Sequence, residues 1–262
     1  MKKLGLALGA GGARGVAHIG FLQALEDNNI KPYCIAGSSM GSVVGSCYAL
    51  GFAPEYMLKI VKALKMRDIL DLAPNALFSG TILKSKKMAA ILHRFMGKTQ
   101  IEDLPMPFSC VGTDIISGNK VVFDQGELAT AVQASSSIPM VFAPVDYDNM
   151  LVADGCMVCR VPVKEAKDLG CDVVVAVDVM GELSEMEELK GLVNYFARLL
   201  EIYDCEVAKH NREKNPADFY LCPELGDMSP YKINKDSMQI AYDQGYESAM
   251  SIMSELKEAL KG

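Results

Sequence analysis

Twelve consecutive residues, Cys34-Ile35-Ala36-Gly37-Ser38-Ser39-Met40-Gly41-Ser42-Val43-Val44-Gly45, restrict the fold of this chain more than any others. They contain the pattern Gly-x-Ser-x-Gly, from Gly37 through Ser39 to Gly41. Residues 33–36 form a short apolar run suited to a buried strand. Residues 42–50 are small and apolar, with Gly51 as a C-cap. The serine therefore sits where a strand turns sharply into a helix. Such a turn crowds the neighbouring backbone, so glycine is needed on both sides and the central residue is strained. On this reading Ser39 stands above a sheet at the positive end of a helix dipole, the position of a nucleophile. The plainer alternative is a glycine-rich packing turn that carries an incidental serine.

A second junction of the same kind precedes it. Residues 4–8 read as a buried strand that ends in Gly9-Ala10-Gly11-Gly12-Ala13-Arg14-Gly15. A helix follows over about 16–28, with Val16, Ile19, Leu22 and Leu25 on one face. Strand, loop, helix, strand, turn, helix is the order of a parallel sheet with helices on its faces. The glycine loop has three readings. A Walker loop would end in Gly-Lys followed by Ser or Thr, and this one offers Arg14-Gly15-Val16. A dinucleotide site would want an acid at the end of the next strand, where Ala36-Gly37-Ser38 stands instead. An oxyanion hole fits: N–H groups of Gly11 and Gly12 would point at a developing negative charge, with the Arg14 cation nearby.

Further along, helices are expected at 54–65, 85–96, 128–135 and 163–169. Strands are expected at 108–113, 120–123, 145–147, 150–153, 172–179 and 218–222. A long helix over 189–212 and an amphipathic one over 236–260 complete the chain. The methionine-bearing stretch 66–96, with Leu77 and Phe78, is the candidate lid or lipid-contact region; ordinary core and loop is the equal alternative. Three aspartates fall at strand ends and are candidate bases for Ser39: Asp114, Asp154 and Asp178.

With 262 residues, half of them apolar, the chain suffices for one domain with a full core. Its net charge of −7 excludes nucleic acid as a main partner, because phosphate binding needs a basic surface. A transient membrane-surface contact is compatible with that charge, resting on apolar groups. No run reaches membrane-spanning length. The N-terminal apolar run is too short for a signal peptide and reads as the first strand. Eight scattered cysteines then suggest reduced thiols in the cytoplasm. Cys156-x-x-Cys159 has no second pair with which to hold zinc, and His18, His93 and His210 lack ligand spacing, so no metal and no cofactor are expected.

Residues 8–20, Gly37 to Gly41, Ala134-Ser135-Ser136-Ser137-Ile138-Pro139 and Asp154-Gly155 together resemble the patatin-like phospholipases, in order and spacing over about residues 4–180. The small stand-alone bacterial members are the most similar. The resemblance implies a three-layer α/β/α fold with a mainly parallel central sheet, forming one domain over 1–262 with a helical part at 185–262. It implies a serine acyl hydrolase acting on phospholipid or another acyl-ester lipid. It also implies a serine–aspartate dyad, with Ser39 as nucleophile, Asp154 as base, Gly11, Gly12 and Arg14 as the oxyanion hole, and Gly37, Gly41 and Gly155 as motif glycines. Two positions depart from the family pattern: Ala10 stands at the first glycine of the loop, and Cys156 follows Asp-Gly. Competing readings are a Ser-Asp-His esterase using His210, acyl transfer to an acceptor other than water, and a non-catalytic lipid-binding protein on the same scaffold. Oligomeric state is not readable from the sequence.

Overall fold

The computed structural model describes residues 1–64, 66–69, 86–139, 141–183, 191–226, 228–230 and 234–261. Its centre is an eight-stranded mixed sheet. The strands are β1 (Leu4–Leu8), β2 (Cys34–Ser38), β3 (Phe108–Asp114), β4 (Lys120–Phe123), β5 (Val145–Tyr147), β6 (Met150–Asp154), β7 (Val173–Val177) and β8 (Phe219–Leu221). Strands β3, β2, β1, β7 and β8 lie side by side and parallel. Strands β4 and β6 run antiparallel to β3, and β5 antiparallel to β6.

Every residue of β1, β2 and β7 is buried. Such strands need cover on both faces. Side chains alternate across a strand, so the two faces separate cleanly. Leu4, Leu6, Leu8, Ile35, Val175 and Val177 enter the larger core with α1 (Val16–Asp27), α2 (Met40–Ala49) and α3 (Pro54–Ala63). Ala7, Ala36, Val174 and Ala176 face the other way. There they meet Val161 and the Val163 and Ala166 side chains of a short helix, Val163–Asp168. The small alanines let that helix lie close to the sheet.

The register around β3 positions the site. Cys110 pairs with Gly37 of β2 and with Phe123 of β4, so β2 and β4 occupy opposite edges of β3. Gly112 pairs with Val121 of β4 and with Asp154 of β6, so β6 lies opposite β4 too. Strands β2 and β6 therefore share one edge of β3 and meet there head to head. β2 leaves at Ser38, opposite Val111, and β6 takes over at Asp154, opposite Gly112.

The remaining elements differ from the sequence reading mainly at their ends. The helix after β2 begins at Met40, directly behind the serine. The C-terminal helix expected over 236–260 is broken at Ile252, between residues Lys235–Ser251 and Met253–Ala259. In the lid candidate, Met66–Ile69 and Lys86–Met96 are helical; Leu77 and Phe78 lie outside the described residues.

Helix Lys235–Ser251 closes the fold by packing against α1. A Cβ on Gly20 would lie 1.9 Å from the Tyr242 carbonyl, and one on Gly245 would lie 1.9 Å from the Ala17 carbonyl. The two backbones thus touch through reciprocal glycines. In an exposed helix, alanine for glycine gains about 1 kcal/mol. Here Gly245→Ala is expected to lose about 1–3 kcal/mol by overpacking. The urea midpoint should fall, and an equal or higher midpoint would show that the seam has slack.

Candidate active site

Ser39 joins β2 to α2 with φ 50° and ψ −122°, a backbone conformation that residues with a Cβ rarely adopt. The strain is held from several sides. The Ser39 N–H donates to Ser135 Oγ at 3.1 Å. Its carbonyl accepts from Ser42 Oγ at 2.6 Å and Ser136 Oγ at 3.2 Å. Gly41, in the first turn of α2, lies so close to β1 that a Cβ there would be 2.1 Å from the Leu8 carbonyl. Gly37 is part of β2 itself. These contacts lift the side chain off the sheet edge toward β6.

There it meets Asp154. Ser39 Oγ donates to Asp154 Oδ2 at 2.5 Å, with Ser39 only 4% exposed and Asp154 0%. The other carboxylate oxygen accepts the Cys156 N–H at 2.9 Å, in a short turn that begins at Gly155. Thr113 Oγ1 donates to the Asp154 carbonyl at 2.8 Å, and the Asp154 N–H donates to the Ser137 carbonyl at 3.0 Å. Burial pushes the Asp154 carboxyl up to about 6, against the hydrogen bonds from Ser39 and Cys156.

The glycine loop adjoins this pair through α2 and β1. Gly12 has φ +52°, and a Cβ there would be 2.3 Å from the Pro230 carbonyl, so only glycine fits. Among the described residues, the Gly11 and Gly12 N–H groups have no protein acceptor, whereas Ala10 donates to the Arg160 carbonyl and Ala13 to the Pro230 carbonyl. Arg14 reaches neighbouring segments. Its guanidinium donates to the carbonyls of Met228 (2.7 Å), Met180 (3.0 Å) and Gly226 (3.1 Å).

The histidines lie elsewhere. His18 is fully buried, with Nε2 2.8 Å from the Gly9 carbonyl. A carbonyl only accepts, so Nε2 carries the proton. Burial lowers the imidazole to about 4, opposed by the Gly9 bond and the Asp178 charge. His93 stands 3.8 Å from Glu127 and is exposed, as is His210. Asp114 accepts from Ile116 and Ser117 in the β3–β4 turn and from the Leu151 N–H of β6. Asp178 is taken up by Arg160 and Tyr220. Among the described residues, no group of three or more His, Cys, Asp or Glu side chains is placed to hold a metal. No helix among them is long and apolar enough to cross a membrane.

The serines at 135–137 carry a signal in the sequence, three hydroxyls at a helix end before Ile-Pro, but nothing there assigns them to Ser39. Ser42 and Thr113 carry none.

The patatin-like phospholipase family matches residues 6–167, and the chain belongs to that family. An uncharacterised NTE family protein of Mycobacterium tuberculosis is 39% identical over 179 residues, 68% of this chain and 49% of that protein. Lysophospholipase NTE1 of Pyricularia oryzae is 32% identical over 68% of this chain and 12% of its own length. The chain thus spans about half the length of the mycobacterial relative. The fold resembles VipD of Legionella pneumophila, with TM-score 0.58 and 16% identity, over 97% of this chain and 67% of that one. It also resembles the type III effector protein ExoU, with TM-score 0.53 and 13% identity, over 97% of this chain and 53% of that one.

The buried carboxyl has a consequence for stability. Its value of about 6 lies above the ordinary 3.8, so the folded state binds the proton more tightly than the unfolded state. The stability this supplies is fully present below about pH 4 and is lost as pH rises through about 6. Asp154→Asn removes that loss. The variant is expected to be more stable than wild type at pH 8, by up to about 3 kcal/mol, with the gain closing toward pH 4. Thermal melts at both pH values check this; an equal gain at each would contradict it.

Proposed function

We propose that this protein is a serine hydrolase of lipid acyl esters, of phospholipase A or lysophospholipase type. Ser39 is the nucleophile and Asp154 the base, with no histidine between them. The observation that carries the reading is the 2.5 Å bond from Ser39 Oγ to a fully buried carboxylate at a strained strand-to-helix turn. A serine hydroxyl is a weak nucleophile until a neighbour takes its proton. A carboxylate raised to about 6 does this better than an ordinary one. As Oγ bonds to the ester carbonyl carbon, its proton passes to Asp154. The charge that develops on the carbonyl oxygen is met by the Gly11 and Gly12 N–H groups. Asp154 then returns the proton to the departing alcohol, and water releases the acyl group by the same steps. Arg14 contributes through its bonds to the Met180, Gly226 and Met228 carbonyls, which hold the loop in shape.

A lipid substrate is supported by the family and by relatives named lysophospholipases. It is also supported by a helical face that exposes Tyr195, Phe196, Leu199, Ile202 and Tyr203, an apolar stripe suited to transient contact with a lipid surface.

A fluorophosphonate probe should label wild type and leave Ser39→Ala unlabelled. Activity of wild type should fall as pH drops through about 6, because the protonated carboxyl cannot act as base. Absence of labelling in folded wild type would refute the hydrolase. For the lipid surface, Phe196→Ser combined with Leu199→Ser should weaken turnover on phospholipid vesicles far more than on p-nitrophenyl butyrate. Equal losses on both would remove the surface from the reading.

A further inference from the structure

A buried ionic cluster borders the glycine loop and is not used by the chemistry above. Arg160 is 5% exposed. It donates from Nη1 to Asp204 at 2.9 Å, and from Nη2 to Asp178 at 3.1 Å and to the Gly181 carbonyl at 2.9 Å. Asp204 belongs to the long helix Leu192–Lys214, and Asp178 directly follows β7. Asp178 also accepts from Tyr220 Oη at 2.9 Å, and its second oxygen accepts the N–H groups of Met180 (3.1 Å) and Gly181 (3.3 Å). The segment 178–181 is thereby held by the Arg160 and Tyr220 side chains and by the Asp178 carboxylate itself.

That segment supports the glycine loop. Val179 packs under Gly11, where an added Cβ would be 2.3 Å from its Cγ2. The Met180 carbonyl accepts from Arg14 Nη1. Arg160 reaches the loop directly as well, because its own carbonyl accepts the Ala10 N–H at 2.9 Å. Both routes converge on the backbone immediately before and beneath the Gly11 and Gly12 N–H groups.

Stability is a poor reason for such a cluster. Buried ion pairs lose much of their Coulomb gain to desolvation, and well-packed apolar groups often serve as well. Here Arg160 Nε and Asp204 Oδ1 are buried without partners among the described residues, and burial pushes Asp204 up to about 6. What three directed bonds from one planar guanidinium do supply is position.

We propose that Arg160, gripped between Asp178 and Asp204, is a positioning residue that aligns the Gly11 and Gly12 N–H donors, with Asp204 tying that alignment to the long helix. The inference rests on the oxyanion role given to those donors above. Arg160 does not touch the reacting atoms, so it acts only through the backbone.

The test uses the full chain and p-nitrophenyl butyrate, with active sites counted by running fluorophosphonate labelling to completion. Asp204→Ala keeps Asp178 as a partner for Arg160 but frees the guanidinium to shift. A displacement on the order of 1 Å at a reacting group costs up to about 100-fold. The expected result is a kcat per labelled site lowered between about 10-fold and about 100-fold, with KM changed less than about 2-fold. Arg160→Lys, which keeps the charge, should show the same split, because a single ammonium nitrogen does not reproduce the planar fork that reaches Asp204 from Nη1 and Asp178 and Gly181 from Nη2. It decides the matter if the alanine variant does not fold. A merely structural role would lower the number of labelled sites or the melting temperature and leave kcat per site unchanged. That result in either folded variant would overturn the proposal. Failure of wild type to label at all would instead overturn the hydrolase reading, and this inference with it.

Discussion

The constraint on which the rest depends is that two strands end on the same edge of β3. Strand β2 arrives parallel and β6 antiparallel, and neither can extend without colliding with the other. The backbone after Ser38 must leave the sheet at once, which is why a non-glycine residue is held at positive φ. The carboxylate that closes β6 is then delivered to the side chain of that residue. A fully buried Asp is costly, and the Ser39 and Cys156 bonds offset only part of the cost. The serine-rich end of helix Leu128–Ser135 and the Thr113 side chain hold both strand ends by their backbones. Two residues 115 positions apart thus become neighbours through sheet register.

The sheet and most helices were legible because their signals are local. Apolar runs bounded by glycine, proline and Asp-Asn marked strands and turns, and the sharp turn at Ser39 was visible from its flanking glycines. The break at Ile252 was not legible, because the periodicity of the C-terminal helix continues across it. At the site, three strand-end acids compete in the sequence: Asp114, Asp154 and Asp178. Gly155 favours Asp154 by allowing a tight turn, as does the family's Asp-Gly, and the register of β6 on β3 brings its carboxylate to Ser39. Arg160 and Asp204 are 44 residues apart and carry no motif, so their pairing was beyond reach.

Arg14 shows how a charge within a loop can also serve the backbone around it. An arginine inside a glycine loop suggests a cation aimed at the site. In the structure the guanidinium donates to carbonyls of other segments, those of Met180, Gly226 and Met228. A planar group with five donors is well suited to joining segments that lack regular hydrogen bonding. Gly12 is similarly overdetermined: the Pro230 carbonyl fills the space a side chain would need, so a valine there would disrupt the loop before it could report on a single donor.

The glycine seam between α1 and helix Lys235–Ser251 bears on the order in which the molecule can assemble. Helix α1 is almost wholly buried, yet one of its faces is covered by residues more than two hundred positions later. A chain emerging from the ribosome would carry that apolar face uncovered until more than two hundred further residues had been made. Closing such a distant contact is entropically slow. The first helix would therefore spend synthesis as an adhesive surface, and a holding chaperone would find its natural target there.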